Sequence, residues 1–289
     1  MTTALDNLIS LLDLERSGEN TYLGNSIDIG TKSVYGGQVV AQALRAAQLT
    51  VDNNKKVHSL HAYFLRRGNY KLPISFKVDI IRNGRSFTAR RVTALQQDEP
   101  IFIIATSFHI DEIGLEYQQE MPENPRPDML KSIAEYGSSE QKKLPETRNR
   151  LLKLSSPFII RPVVNQSINK PRQDTNQRHF WIKTIHPLPD DHDLHCAILA
   201  YISDYGLVTT TLVPHGLKLE DPTIQLVSID HGMWFHRPFR ADEWILYSCE
   251  AITTSNATGL AKGSMYSLDG KLVATTIQEG LIRQKDMGN

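Results

Sequence analysis

The second half of the chain repeats the first, and this duplication restricts the fold more than any other feature of the sequence. A shift of 170 lays His61-Ala62-Tyr63-Phe64-Leu65-Arg66-Arg67 on His231-Gly232-Met233-Trp234-Phe235-His236-Arg237, pairing His, small, aromatic and Arg positions. A shift of 171 lays Asp98 on Asp269 and the apolar run Ile101 to Ile104 on Leu272 to Thr275. Each of those runs follows a turn, Gln97-Asp98-Glu99-Pro100 in one half and Leu268-Asp269-Gly270-Lys271 in the other. Two matches in the same order point to two like units. The length of 289 residues suits two domains. The boundaries we expect are 1–113 for the first repeat, 114–155 for a linker and 156–289 for the second repeat.

Each half carries one helix pattern ahead of its strands. Gly36-Gly37 opens Gln38 to Thr50, apolar at Val39, Val40, Ala43, Leu44 and Ala47, with small alanines that would let a sheet close around it. Asp190 to Tyr205 is apolar at Leu194, Ala197, Ile198, Tyr201 and Ile202. Its first turn holds Asp190, Asp191 and Asp193, favourable at a helix N-terminus, and Gly206 supplies the stop. The first helix precedes β-rich runs at His58 to Leu65, Ile74 to Arg82, Ser86 to Leu95 and Ile101 to Ile110. The second precedes Gln225 to Phe235, Trp244 to Ile252, Gly259 to Ser267 and Lys271 to Arg283. A helix followed by a meander of long strands is an α+β unit. The proline-rich stretch Met121 to Pro127 reads as exposed linker, and Asp128 to Lys153 as mixed with some helix.

Composition removes several classes of function. Lys plus Arg number 32 and Asp plus Glu 32, so no overall field grips a nucleic acid or an anionic membrane. The longest apolar runs fall well short of the ~20 residues of a spanning helix. The first residues lack a signal-peptide pattern and the last do not spell a peroxisomal address, so the expected location is cytoplasmic. Cys196 and Cys249 read as buried free thiols in a reducing compartment. There is no GxSxG, GxGxxG, GxxxxGK[ST] or HExxH pattern, which weakens serine-hydrolase, dinucleotide, P-loop and zincin readings. The pairs His58/His61 and His192/His195 have too little around them to argue for a metal, and we expect neither metal nor cofactor. Arg66, Arg67, Arg90 and Arg91 read first as a solvated strand face, with contact to a nucleotide phosphate as the alternative.

Three residues look out of place. Asp204 falls on or beside the apolar face of the second helix, in the last turn, where burial and the helix dipole both push its pKa up toward general-base work. The alternative is a frayed helix end that leaves it wet. Gln278 shares a strand face with Leu272, Ala274 and Thr276, where its amide could hold a water or a carbonyl, or bond the backbone at a strand end. Ser228, between Val227 and Ile229, has a hydroxyl that can give and take a hydrogen bond, or be satisfied by a nearby carbonyl. In the repeat alignment His58 stands opposite Ser228 and Ser107 opposite Gln278, and the first helix has no acid. A site built on these residues is single and asymmetric.

The duplicated units, together with Tyr35-Gly36-Gly37-Gln38-Val39-Val40-Ala41-Gln42-Ala43-Leu44, Val57-His58-Ser59-Leu60-His61-Ala62-Tyr63-Phe64-Leu65, Ser228-Ile229-Asp230-His231-Gly232-Met233-Trp234-Phe235-His236-Arg237 and Gln278-Glu279-Gly280, resemble the acyl-CoA thioesterase II family over nearly the whole chain. That resemblance implies a double hotdog, two long helices each wrapped by antiparallel sheet. It implies hydrolysis of acyl-CoA without a covalent nucleophile, a homotetramer, and roles for Asp204, Ser228 and Gln278 around an attacking water. Ser228 stands where the family has Thr or Ser, so the hydroxyl is kept. Backbone N–H groups at Gly36-Gly37 would polarise the carbonyl. Rival readings are hydration or dehydration of acyl-CoA on the same fold, His58 or Asp230-His231 as the base, and a non-catalytic acyl-CoA-binding protein.

Overall fold

The computed structural model describes residues 3–29, 33–136, 156–163, 175–219 and 221–284. The chain opens with α1 (Ala4–Leu12), capped by Thr3, then the short strands β1 (Glu15–Gly18) and β2 (Thr21–Gly24). The first repeat follows: α2 (Gly36–Gln48), β3 (Lys56–Phe64), β4 (Ile74–Asn83), β5 (Phe87–Gln96) and β6 (Glu99–His109). Next among the described residues come a short helix, α3 (Ile133–Tyr136), then β7 (Phe158–Pro162), β8 (Gln177–Thr184) and α4 (His192–Ser203). A 3-10 segment (Val208–His215) then leads to β9 (Ile224–Ser228), β10 (Asp230–Phe235), β11 (Ile245–Ser255), β12 (Thr258–Ser267) and β13 (Leu272–Gln284).

The strands form one sheet in the order β1-β2-β4-β5-β6-β3-β10-β13-β12-β11-β8-β7, with β9 also on β13. Reading outward from the centre, β3, β6, β5, β4 and β2 mirror β10, β13, β12, β11 and β8. The duplication seen in sequence is therefore a pseudo-twofold in space, and the fold is an α+β double hotdog. The halves join where β3 and β10 pair antiparallel, with Leu60 opposite Met233.

The two helices lie antiparallel inside. Tyr35 Oη at the start of α2 donates to Tyr201 O near the end of α4 (3.0 Å), and Gln48 Nε2 at the end of α2 donates to Asp193 O at the start of α4 (3.2 Å). Ten consecutive residues of α4, Leu194 to Ser203, are buried, the pattern of a helix covered on every side. The stretch His192–His215 has the length and apolarity of a membrane span, but most of it is packed inside the protein. Truncating a core residue such as Ile198 to Ala should cost about 2–5 kcal/mol.

Several expectations need correction. Gln225 to Phe235 is not one strand: it breaks at Ile229 into β9 and β10. Met121 to Pro127 is not simply exposed linker. Gln118 Nε2 donates to Gly270 O (2.8 Å), Trp181 Nε1 to Pro125 O (2.9 Å), and Pro127 is buried. This segment covers a second small core of Trp181, Leu246 and Tyr266, against which Met121 and Leu130 pack. Arg90 is not on a solvated face either. It is 2% exposed and donates to Thr50 O and Thr50 Oγ1 (both 2.8 Å), pinning the turn after α2. Arg66 and Arg91 do face solvent and pair with Glu99 and Asp79. Of the linker expected at 114–155, residues 137–155 lie outside the described residues.

Candidate active site

Asp204 is the C-cap of α4. Its Oδ1 accepts from Gln278 Nε2 at 2.6 Å and its Oδ2 from the backbone N–H of Gly37 at 3.0 Å. The carboxylate of the second repeat is therefore held by the first turn of the first repeat's helix. Gly36 and Gly37 make this approach possible. A Cβ on Gly36 would lie 2.7 Å from Asp204 Oδ2, and one on Gly37 would collide with the carbonyl of Tyr201. The first N–H groups of a helix lack intrahelical partners and carry its positive dipole end, so they suit an anion. The N-cap of α2 is Tyr35, whose side chain makes no capping bond, which leaves the Gly37 N–H for Asp204.

Opposing effects set the acidity of Asp204. Burial pushes its pKa up from 3.8 to about 6, while the bonds from Gln278 and Gly37 pull the other way. Burial wins, so the carboxylate is ionised at neutral pH yet far more basic than a surface aspartate. That is the tuning expected of a general base.

Gln278 is fully buried on β13, on one face with Ala274 and Thr276. Its nitrogen is committed to Asp204, and its buried Oε1 accepts from no protein group among the described residues. Ser228 lies on β9 opposite Gly280, two residues from Gln278 and on the same face of the sheet. It makes no hydrogen bond to either Asp204 or Gln278. The structure thus joins Asp204 directly to Gln278 and sets Ser228 on the adjacent strand, diagonally across from Gln278.

A β-bulge shapes this place. Ser228 pairs with Gly280 and Gly232 with Ile277, so three residues, 229–231, face only two, 278–279. Asp230 Oδ1 repairs the interrupted ladder by accepting from Glu279 N at 2.7 Å. The extra residue resets the alternation, so that Ser228 and His231 both face the helices. Bulges re-aim side chains in this way beside active sites.

The other sequence candidates settle elsewhere. His231 is buried, its pKa is driven down to about 4 by burial, and its Nε2 meets Ser203 Oγ at 2.7 Å. A ring so occupied is a poor base for a water beside Asp204. Asp230 is committed to Glu279 N, and His58 Nε2 to Ser107 Oγ (2.7 Å) in the other half. His61 stacks edge-on against Trp234, His195 accepts from Ala241 N, and His192 meets Cys196 Sγ at 3.4 Å. No group of three or more His, Cys, Asp or Glu among the described residues could hold a metal ion. Both cysteines are buried and free. The Gly37 N–H, expected to meet a substrate carbonyl, is instead bonded to Asp204. Sequence reading missed Tyr35, Ser203 and Tyr247 around the end of α4. Their only signal is position, since their roles appear once the two helices are seen side by side.

Comparison with known proteins gives this geometry its context. Residues 26–109 match the family model for the acyl-CoA thioesterase N-terminal domain, and residues 155–281 match that for acyl-CoA thioesterase. Acyl-CoA thioesterase 2 of Haemophilus influenzae is 38% identical across 98% of this chain and 99% of its own. Human acyl-coenzyme A thioesterase 8 is 37% identical across 96% of this chain and 88% of its own. This chain belongs to the acyl-CoA thioesterase family. The crystal structure of an acyl-CoA thioesterase II, TesB2, from Mycobacterium marinum superposes with a TM-score of 0.79 at 35% identity, covering 96% of this chain and 99% of that one. A protein with the hot dog fold from Alicyclobacillus acidocaldarius, at 18% identity, shares the fold with a TM-score of 0.78. Within this thioesterase-family chain, Asp204, Ser228 and Gln278 fall in the second matched region and Gly37 in the first, so the candidate site is assembled from both.

Proposed function

We propose that this chain hydrolyses acyl-CoA thioesters to a carboxylic acid and CoA, with Asp204 as the general base. The observation that carries the reading is the buried carboxylate of raised pKa, bonded to Gln278 Nε2 and Gly37 N, beside the unsatisfied Gln278 Oε1. A water at this spot can give one hydrogen to Asp204 and the other to Gln278 Oε1, while the Ser228 hydroxyl holds it from the neighbouring strand. Asp204 takes a proton as the water oxygen attacks the thioester carbonyl carbon. The tetrahedral species then collapses, the C–S bond breaks, and the electron pair leaves with sulfur as the CoA thiolate. With a thiol pKa of about 8.5 the thiolate is a stable leaving group and needs no dedicated acid. The proton on Asp204 passes to the thiolate or to solvent, which resets the base.

Several finer readings go with this one. The substrate is a fatty acyl-CoA of lipid metabolism, the enzyme works in the cytoplasm as a homotetramer, and the repeats divide at 1–113, 114–155 and 156–289. Two buried free thiols support the reducing compartment. Light scattering tests the tetramer. The decisive assay follows free thiol with dithiobisnitrobenzoate across a series of acyl-CoA lengths, for wild type and Asp204→Asn. Thiol release by wild type and its loss in the variant is the expected result. An inactive wild type that still binds acyl-CoA would overturn the proposal.

A further inference from the structure

The hydrolytic reading leaves two buried histidines unused: His195, near the start of α4, and His231, which meets its end. His231, on β10, is 1% exposed, and the bulge that sets Ser228 toward the helices also turns this ring inward. Ser203 Oγ donates to Ala200 O at 2.7 Å. A hydroxyl has one hydrogen, so the bond between Ser203 Oγ and His231 Nε2 is donated by the histidine. Ser203 is gripped a second time through its backbone. Tyr247 Oη on β11 donates to Ser203 O at 2.7 Å and is itself 2.9 Å from Thr276 Oγ1 on β13. The residue that follows is Asp204.

Helix ends are where carbonyls lack partners and backbone frays. Here the last turn of α4 is fastened by Tyr35 on Tyr201 O, Tyr247 on Ser203 O and His231 on the Ser203 side chain. We propose that His231 is a positioning residue for the hydrolysis, which through Ser203 fixes the end of α4 so that Asp204 stays aimed at Gln278 and Gly37. This rests on Asp204 being the base. Displacement of a reacting group by about 1 Å can cost ~100-fold in rate, so a clamp one residue upstream has a catalytic effect without touching substrate.

The groups around Asp204 keep its titration separate. Tyr35, Tyr201 and Tyr247 are held well above their ordinary range by burial, and neutral His231 lies near 4. On β10, Asp230 is raised by burial and bonded to Glu279 N. An acid limb near pH 6 in the rate profile would therefore report Asp204.

Ser203→Ala, His231→Leu, His231→Gln and Asp204→Asn should be compared by thiol release over about pH 5 to 9, with a melting curve for each. Ser203→Ala and His231→Leu are expected to lower kcat by about 10- to 100-fold with KM within about twofold. Their acid limb should move upward, because Asp204 loses the bonds that pull its pKa down. His231→Gln, whose amide N–H can reach Ser203 as Nε2 does, is expected to stay within about threefold of wild type. Should His231→Leu fail to fold, Ser203→Ala carries the test. A Ser203→Ala enzyme with wild-type kcat and an unmoved limb overturns the proposal, as does a rate loss that tracks melting temperature alone. Full activity in Asp204→Asn would instead remove the base reading itself, so the two failures are told apart.

Discussion

The two ends of the antiparallel helix pair are related by the pseudo-twofold yet built for different purposes. At one end the N-terminus of α4 is capped from within its own chain segment: Asp191 accepts from the N–H groups of Asp193 and Leu194. The neighbouring C-cap of α2 is Leu49, 48% exposed and without a charge to offer. At the other end Tyr35 gives α2 no side-chain cap, glycines open its first turn, and the C-cap of α4 is Asp204. The strands behind follow suit. Both halves carry a bulge at the equivalent place, between Val57 and Ser59 in β3 and between Ser228 and Gly232 in the second half. In the first half it brings His58 onto Ser107, and in the second it sets Ser228 beside Gln278. In α4 the helix's own cap takes the N–H groups of Asp193 and Leu194, whereas the first turn of α2, left without a side-chain cap, takes a carboxylate from its partner helix.

Neutralising Asp204 breaks this contrast most sharply. Asp204→Asn should lower kcat by at least about 100-fold while the fold persists, which thiol release and circular dichroism would show together. The same variant should be more heat-stable than wild type at pH 8, by about 1–2 kcal/mol. The sign follows from the raised pKa. Between 3.8 and about 6 the folded protein binds a proton that the unfolded chain has released, so stability drains away as pH rises through that window and stays lower above it. Asparagine removes that loss, and Gln278 can turn its amide to offer Oε1 to the new N–H. The advantage should fade below pH 4.

Next in size is the pH profile of the unaltered enzyme. Its rate should rise about tenfold per pH unit up to about 6 and level off above, since the proposed base acts as the ionised carboxylate. A limb near 4 would mean that a solvated acid does the work. Gly36→Ala comes third: the new methyl meets Asp204 Oδ2 and Phe64, and we expect about a tenfold loss of kcat/KM with a lowered melting temperature. The smallest effect belongs to the other end. Ser107→Ala should cost about 1 kcal/mol of stability by leaving His58 without its partner, and change thiol release by less than about twofold.

Much of this was written locally in the sequence. The meander strands announce themselves by alternation, as in β13, where Ala274, Thr276, Gln278 and Gly280 are buried in turn. Asp204 stood out because an acid at the end of an apolar helix is a local oddity. β8 did not stand out, because Phe180, Trp181 and Ile182 are buried in succession, covered on both faces once the 115–127 segment folds over one of them. Covered on both sides, a strand loses its two-residue rhythm. The bond from Gly37 to Asp204 was hidden for another reason: it spans 167 positions and exists only when two helices lie head to tail. The bulge, likewise, depends on which residues of β13 the strand faces.

The seam between β3 and β10 has a practical consequence. When two separate chains build a site across their contact, dilution takes the site apart and specific activity falls with concentration. Here both sides of the seam belong to one polypeptide, and the two groups that meet at Asp204 are tethered at a fixed effective concentration. Each chain carries its own complete pair, however few copies are in solution.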